Sequence, residues 1–242
     1  MIRVAAVGDL HYDRHCRGRW AHEFELLNES ADLFLMAGDL TQIGTAEEME
    51  ALASDLRHCS IPKVAVLGNH DLETDLQDTV TDILEKAGVV VLEGEALELD
   101  IAGEALGIAG TMGFGGGFWG ASAAEFGEPE MKNFTIRTRR MTASLETALR
   151  SLQTKYRIVL MHYSPIRETL VGEPPEIFPF LGSFHFANAV DAIGANYIFH
   201  AHAHRGKEMG STPGGIPVRN VALPVIREPY RIYSLGDEGT LV

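Results

Sequence analysis

At 242 residues, with 45% hydrophobic and 22% charged side chains, the chain has the size and balance of one substantial α/β core. Its formal net charge of −14 disfavours a long nucleic-acid partner, because backbone phosphates are held by Lys and Arg. No apolar run approaches the roughly 20 residues of a membrane span, and the two cysteines, Cys16 and Cys59, lack C-x-x-C spacing, so a disulfide framework is not indicated and a cytoplasmic location is expected.

The opening stretch "MIRVAAVGD" carries one basic residue and a short apolar run closed by an acid, which reads as a buried first strand and not as a signal peptide. Similar runs follow in "DLFLMAGD", "KVAVLGN", "RIVLMH" and "NYIFHA". Their apolarity is continuous, not alternating, as expected of strands covered on both faces. Between them the spacing predicts helices over 46–59 (Met49, Leu52, Ala53, Leu56) and 76–88 (Leu76, Val80, Ile83, Leu84, Ala87), the second stopped by Gly88. A third is predicted over 142–153 through Leu145, Ala148, Leu149 and Leu152. The order strand, helix, strand, helix, strand argues for an α/β fold. "PVRNVAL" and "YRIYSL" add strands near the C-terminus, while 110–131 and 164–183 are glycine- or proline-rich and read as long loops of the kind that carry function. With no repeat and no linker, residues 1–242 are read as one domain.

The chemistry lies where these runs end. The first closes in "GDLH" (Asp9, His11), the second in "AGDL" (Asp39), the third in "LGNHD" (Asn69, His70, Asp71), the fourth in "MHYSP" (His162), and the fifth leads into "HAHAH" (His200, His202, His204). Taken singly, each of these is ordinary turn, cap or core chemistry. Taken together, five ordered segments place oxygen and nitrogen ligands at strand ends, where open α/β sheets form their ligand crevice.

This ordered set resembles the calcineurin-like metallophosphoesterase superfamily, whose signature runs D-x-H, G-D, G-N-H-D/E, H and G-H-x-H, over residues 9–204 here. The resemblance implies two mixed β-sheets in a sandwich flanked by helices, with a dinuclear metal site. It implies that Asp9, His11 and His204 hold one ion, that Asn69, His162 and His202 hold the other, and that Asp39 bridges both. His70 would be the catalytic histidine and Asp71 its orienting partner. Ala201 departs from the signature, which has glycine there, and a left-handed backbone at that position would strain alanine. His200 has no counterpart in the signature; it is either a donor behind the ligands or, by preference, a plain strand residue.

Mixed imidazole and carboxylate ligands suit two divalent transition-metal ions such as Mn, Fe, Zn or Ni better than Mg or Ca. Two such ions lower the pKa of a shared water, giving a hydroxide that attacks phosphorus while the metals stabilise the phosphoryl oxygens. His70 would then protonate the leaving alkoxide. Arg14, His15, Arg17 and Arg19 follow the first ligands and serve either as phosphate contacts or as solvated loop charges. Phe114, Phe118 and Trp119 either stack on substrate or close over it, or form an apolar loop core or subunit contact, while Tyr163 and Arg167, just beyond His162, are candidates to shape the pocket.

The expectation is therefore a metal-dependent phosphodiesterase for a small or nucleotide-type diester. A phosphomonoesterase is the alternative, although "GDLTQ" and "GNHDL" lack the arginines that protein phosphatases of the superfamily carry beside these motifs. A non-catalytic scaffold is opposed by the intact ligand set.

Overall fold

The computed structural model describes residues 1–235. The N-terminal half alternates strand and helix: β1 (Ile2–Val7), α1 (Ala21–Ser30), β2 (Leu33–Ala37), α2 (Ala46–Leu56), β3 (Lys63–Val66), α3 (Gln77–Lys86) and β4 (Val89–Val91). A hairpin follows, β5 (Glu95–Ile101) and β6 (Glu104–Thr111), then the short pair β7 (Gly117–Phe118) and β8 (Ala121–Ser122) and the long helix α4 (Pro129–Ser151). The remainder comprises β9 (Tyr156–Met161), α5 (Phe178–Leu181), α6 (Phe184–Ile193), β10 (Tyr197–His200), β11 (Met209–Ser211), β12 (Pro217–Asn220), α7 (Leu223–Ile226) and β13 (Arg231–Leu235).

Two mixed sheets result. The first has five strands in the order β13-β1-β2-β3-β4, and the second has six in the order β11-β12-β10-β9-β6-β5. In the first, β1 to β4 run parallel and β13 pairs antiparallel with β1. In the second, β6, β9, β10 and β12 are parallel, and β5 and β11 close the edges antiparallel.

The facing sides of the sheets share one core, with Val4, Leu35 and Val64 from the first packed among Ile108, Ile158 and Phe199 from the second. The outer face of the first sheet carries Ala5, Phe34 and Met36 under Phe24 of α1, Leu52 of α2 and Leu84 of α3. The outer face of the second carries Val159 and Ile198 under Leu149 of α4 and Phe186 of α6. The layers are thus helix, sheet, sheet, helix, which explains the continuous apolarity of the strands: each buries both faces. Helix α2 begins on a capping box, in which the Thr45 side chain accepts from the Glu48 amide and Glu48 accepts from the Thr45 amide.

The expected sandwich and the five central strands are present, and the helices over 46–59 and 76–88 are seen as α2 and α3. The helix predicted over 142–153 is the C-terminal half of a longer one, because α4 starts at Pro129, inside a segment that reads as loop. Its first half carries few apolar residues and so shows little helical period in sequence. Four further helices, α1, α5, α6 and α7, and the β5–β6 hairpin carry no expectation from the sequence, α5 lying in the stretch 164–183 that reads as loop. Among the described residues no helix is long and apolar enough to cross a membrane.

Candidate metal centre

The ends of β1, β2 and β3 in one sheet and of β9 and β10 in the other open onto the same crevice. Asp9 and His11 follow β1, Asp39 follows β2, Asn69 to Asp71 follow β3, His162 follows β9, and His202 and His204 follow β10. Asp9, His11 and His204 place ligand atoms within 4.8 Å of one another, and so do Asp39, His162 and His202. A third such group, His11, Asp39 and His70, joins these two. Asn69 enters through its side-chain oxygen, 3.1 Å from Nε2 of His162. The seven residues expected as ligands are therefore brought together.

The backbone that aims them is unusual. Among the described residues seven non-glycine residues have positive φ, and four of these are Asp9 (54°), His11 (45°), Asp39 (48°) and His202 (68°). Left-handed backbone costs a non-glycine residue of the order of 1–3 kcal/mol and concentrates at functional sites. Neighbouring glycines give the turns room. A Cβ on Gly68 would lie 2.2 Å from Oδ1 and 2.3 Å from the amide nitrogen of Asp39. At Gly38, where φ is +81°, a Cβ would lie 2.7 Å from the His162 ring.

Hydrogen bonds then fix orientation across the two sheets. The His202 amide donates to Oδ2 of Asp9 at 2.9 Å, and the His70 amide donates to Oδ1 of Asp39 at 2.8 Å. Nδ1 of His162 lies 2.8 Å from the Ala37 carbonyl; a proton there leaves the lone pair on Nε2, 3.3 Å from Oδ2 of Asp39. Nε2 of His202 lies 3.4 Å from the Phe180 carbonyl, and a proton on it leaves the lone pair on Nδ1. A carbonyl behind a ring nitrogen is the usual way a protein fixes the tautomer of a metal-binding histidine.

The polar atoms also fit a cation. Both ring nitrogens of His11 are buried with no hydrogen-bond partner, a costly state unless something else satisfies them, and Oδ1 of Asp9 has Nε2 of His204 as its near neighbour at 3.2 Å. Burial opposes the charged form of His162, but the Asp39 carboxylate outweighs it and raises the pKa to about 9, while Asp39 itself is held below the ordinary carboxyl range. Burial, helped by the charge on His162, lowers His202 to about 3, and burial also lowers His11. Neutral His202 and His11 beside anionic Asp39 are the protonation states that ligands require, whereas His162, held charged by Asp39, would have to release its Nε2 proton on taking a metal ion.

Two expectations need correction. Asp71 does not orient His70 directly. Its fully buried carboxylate accepts from the amides of Leu40, Thr41 and Gly68 and from the Thr41 hydroxyl, tying the β2 turn to the β3 turn. The His70 ring instead has Nδ1 2.7 Å from the Gln42 carbonyl, with Glu73 Oε2 at 3.8 Å. Ala201 also escapes the strain feared for it, since it is not among the positive-φ residues and the left-handed turn falls on His202. What alanine needs there is space, and Gly8 provides it: a Cβ on Gly8 would lie 2.4 Å from that of Ala201.

His200 is a strand residue. It is fully buried, with Nδ1 2.8 Å from the Ala201 carbonyl and Nε2 2.8 Å from the Thr169 hydroxyl, and burial lowers its pKa to about 4. The loops 110–131 and 164–183 meet over the His202–His204 stretch, where Phe118, Leu170, Phe178 and Leu181 pack on Ala203. Phe118 therefore belongs to a loop core. Trp119 is 69% exposed against Phe184, and half-buried Phe114 touches Tyr163 and Phe134. Arg167 lies 5.6 Å from the Phe178 ring. In the loop after His11, Arg14 contacts His15 and Arg19 lies over Trp20, while Asp55 secures the backbone through the Gly18 and Trp20 amides. Sequence reasoning missed Gln42, because its contribution is a main-chain carbonyl that any residue supplies.

The calcineurin-like phosphoesterase family model matches residues 2–206, and the chain belongs to that family. An uncharacterized metallophosphoesterase of Aquifex aeolicus (strain VF5) is 39% identical over 74 residues, a match that spans 30% of this chain and 28% of that relative. Among solved structures, the phosphopantetheinyl hydrolase of Mycobacterium tuberculosis has a similar fold, with a TM-score of 0.73 at 18% identity, covering 97% of this chain and 96% of that one. A putative 5'-nucleotidase of Staphylococcus aureus matches at a TM-score of 0.62 and 15% identity, over 99% of this chain and 52% of its own.

Proposed function

We propose that the chain is a dinuclear metal-dependent phosphoesterase that hydrolyses a small phosphodiester. The observation that carries this reading is the pair of buried, unsatisfied His11 nitrogens beside Asp9 and His204, joined through Asp39 to the His162 and His202 group. Asp9, His11 and His204 would hold one ion, Asn69, His162 and His202 the other, and Asp39 both. When bound, the two divalent transition-metal ions, of which Mn, Fe, Zn and Ni suit the donor set, supply an activated water and offset charge on the phosphoryl oxygens.

The chain's own groups do the rest. His70 is the proton donor to the leaving alkoxide: its Nδ1–H donates to the Gln42 carbonyl, and the proton that is transferred is the one carried on Nε2. Asp71 acts by holding Leu40 and Thr41, and with them the carbonyl of the next residue, Gln42, in place. The acidic surface disfavours a nucleic-acid polymer and so supports a small substrate. The two free cysteines fit a reducing, cytoplasmic setting.

The test is hydrolysis of bis-p-nitrophenyl phosphate by metal-stripped protein before and after Mn²⁺ is added, beside Asp39→Asn. Activity that appears with metal and is lost in the variant supports the reading. Metal binding without diester turnover redirects it to monoesters, and protein that binds no metal overturns it.

A further inference from the structure

His202 sits at the centre of a three-residue turn. The Ala203 amide donates to the Ala201 carbonyl at 2.8 Å, and His202 between them has a φ of 68°. This is the γ-turn of the rarer hand, which is strained for a residue with a side chain and persists only where its surroundings hold it closed. Opening it would swing the imidazole away from Asp39 and His162, because the ring is carried by the strained residue itself.

Two fully buried side chains brace the turn. His200, the last residue of β10, has Nδ1 2.8 Å from the Ala201 carbonyl, the same oxygen that receives the Ala203 amide. A carbonyl only accepts, so Nδ1 carries the proton. Nε2 is then the acceptor, 2.8 Å from the Thr169 hydroxyl, which fixes the ring from its other side. Asn220 of β12 donates through Nδ2 to the Ala203 carbonyl at 2.8 Å, while its Oδ1 accepts from the Ala222 amide at 3.2 Å. The carbonyls before and after His202 are thus each held by a buried side chain, and the His202 amide is held by Asp9 at 2.9 Å. Of the two braces, only His200 acts on the oxygen that closes the turn. Strand packing alone does not explain an imidazole there, since an apolar side chain would fill the same space without the cost of burying two polar nitrogens.

We propose that His200 is a positioning residue of the metal centre: through the Ala201 carbonyl it keeps the turn closed and His202 aimed at the ion it would share with Asn69 and His162. The inference rests on the ligand set proposed above. It gives the first histidine of "HAHAH" a task that is neither coordination nor packing.

Asparagine places its Nδ2 where the Nδ1 of histidine stands, whereas glutamine reaches the place of Nε2. His200→Asn and His200→Gln therefore separate the bond to Ala201 from the bond to Thr169. Metal-stripped protein is titrated calorimetrically with Mn²⁺ as the parent chain, as these two variants and as His202→Ala. The last removes the ligand itself and so identifies its ion among the two binding events. We expect His200→Gln to weaken that event about tenfold and to leave the other within about twofold, with His200→Asn within about threefold of the parent. Circular dichroism melts run beside the titrations, so that affinities are compared well below every transition. Unchanged binding in His200→Gln, equal weakening of both events, a loss as large in His200→Asn, or a His200→Gln chain that does not fold would each overturn the proposal and leave His200 a structural residue. The ligand set survives those results as long as His202→Ala removes one event. If the parent takes up no Mn²⁺, or His202→Ala loses nothing, the ligand set falls and the proposal falls with it.

Discussion

The turns that follow β1, β2 and β3 and the long loops that follow β6 and β9 face the same histidines, yet they are held in place by different means. The turns are short and built of close backbone approaches. Gly68 lies against Asp39, Gly38 against His162, and the Asp71 carboxylate binds four donors from two turns. The loops are held by a small apolar cluster and a few hydroxyls, and they leave Trp119 and Phe180 largely exposed. Rigidity is concentrated at the proposed metal ligands, whose atoms would have to hold position to a fraction of an ångström, and apolar exposure in the loops beside them. A fold of this kind can change what it binds by altering its loops while the turns that carry the proposed metal ligands stay as they are.

The strongest way to break the rigid side is Gly68→Ala. The new methyl would meet the Asp39 amide and carboxylate, which cannot give way without moving a proposed metal ligand. Overpacking of this type costs about 1–3 kcal/mol, and a ligand displaced by about 1 Å lowers turnover by roughly 10². Thermal melts and diester hydrolysis of the manganese-loaded variant should show both losses; unchanged turnover would mean that the β3 turn is far softer than its packing indicates.

Next in size is Asp71→Asn. The amide keeps one acceptor oxygen but places an NH₂ among donors, leaving buried groups unsatisfied at about 1–3 kcal/mol each. We expect a lowered melting temperature together with reduced turnover, because the carbonyl of Gln42 that faces His70 follows Leu40 and Thr41. If Asp71 affected stability alone, turnover at a temperature well below the melt would equal that of the parent chain, and the positioning role would fail.

Much of this was legible in the sequence, for a physical reason. Asp9, Asp39, Asn69, His162 and His202 each follow a continuously apolar run, and a polar residue at such a boundary is where a buried strand meets a crevice. The strands were therefore readable from burial on both faces, whereas the sandwich was implied by the family resemblance. The site's supports were not. Gln42 acts through its carbonyl, Asp71 reaches backbone groups 31 and 30 positions away at Leu40 and Thr41, and Gly8 matters through an alanine at 201. None of these leaves a local pattern. Helix α6 and the first half of α4 were missed because one is apolar around much of its circumference and the other is largely polar, so neither shows a clear stripe.

The junction between the two regions is probed by Thr169→Val. The Thr169 hydroxyl bonds His200 in β10 and Ser164 at the start of the second loop, and valine keeps the shape without either bond. Loss of a buried hydroxyl that leaves a partner unsatisfied costs about 1–2 kcal/mol. The expected sign that it tethers the loop is faster amide exchange across 164–183 with β1 to β3 unchanged; uniform exchange would make it an ordinary core contact.

The smallest effect tests whether Ala201, where the signature has glycine, is a weakness or a fitted part. Ala201 is fully buried, and its backbone does not need the left-handed conformation. Ala201→Gly therefore relieves no strain. It removes one buried methyl and adds chain entropy, for a loss of about 0.5–1 kcal/mol. Gly8→Ala alone would force a methyl against Ala201, and the same change in an Ala201→Gly background has room for it. The double-mutant cycle should accordingly show strong coupling, with the double variant more stable than Gly8→Ala by itself. Additive effects would mean that the neighbouring Ala37, whose Cβ and carbonyl oxygen would both lie 3.1 Å from a Cβ on Gly8, and not Ala201, sets the limit at this crossing of the two sheets.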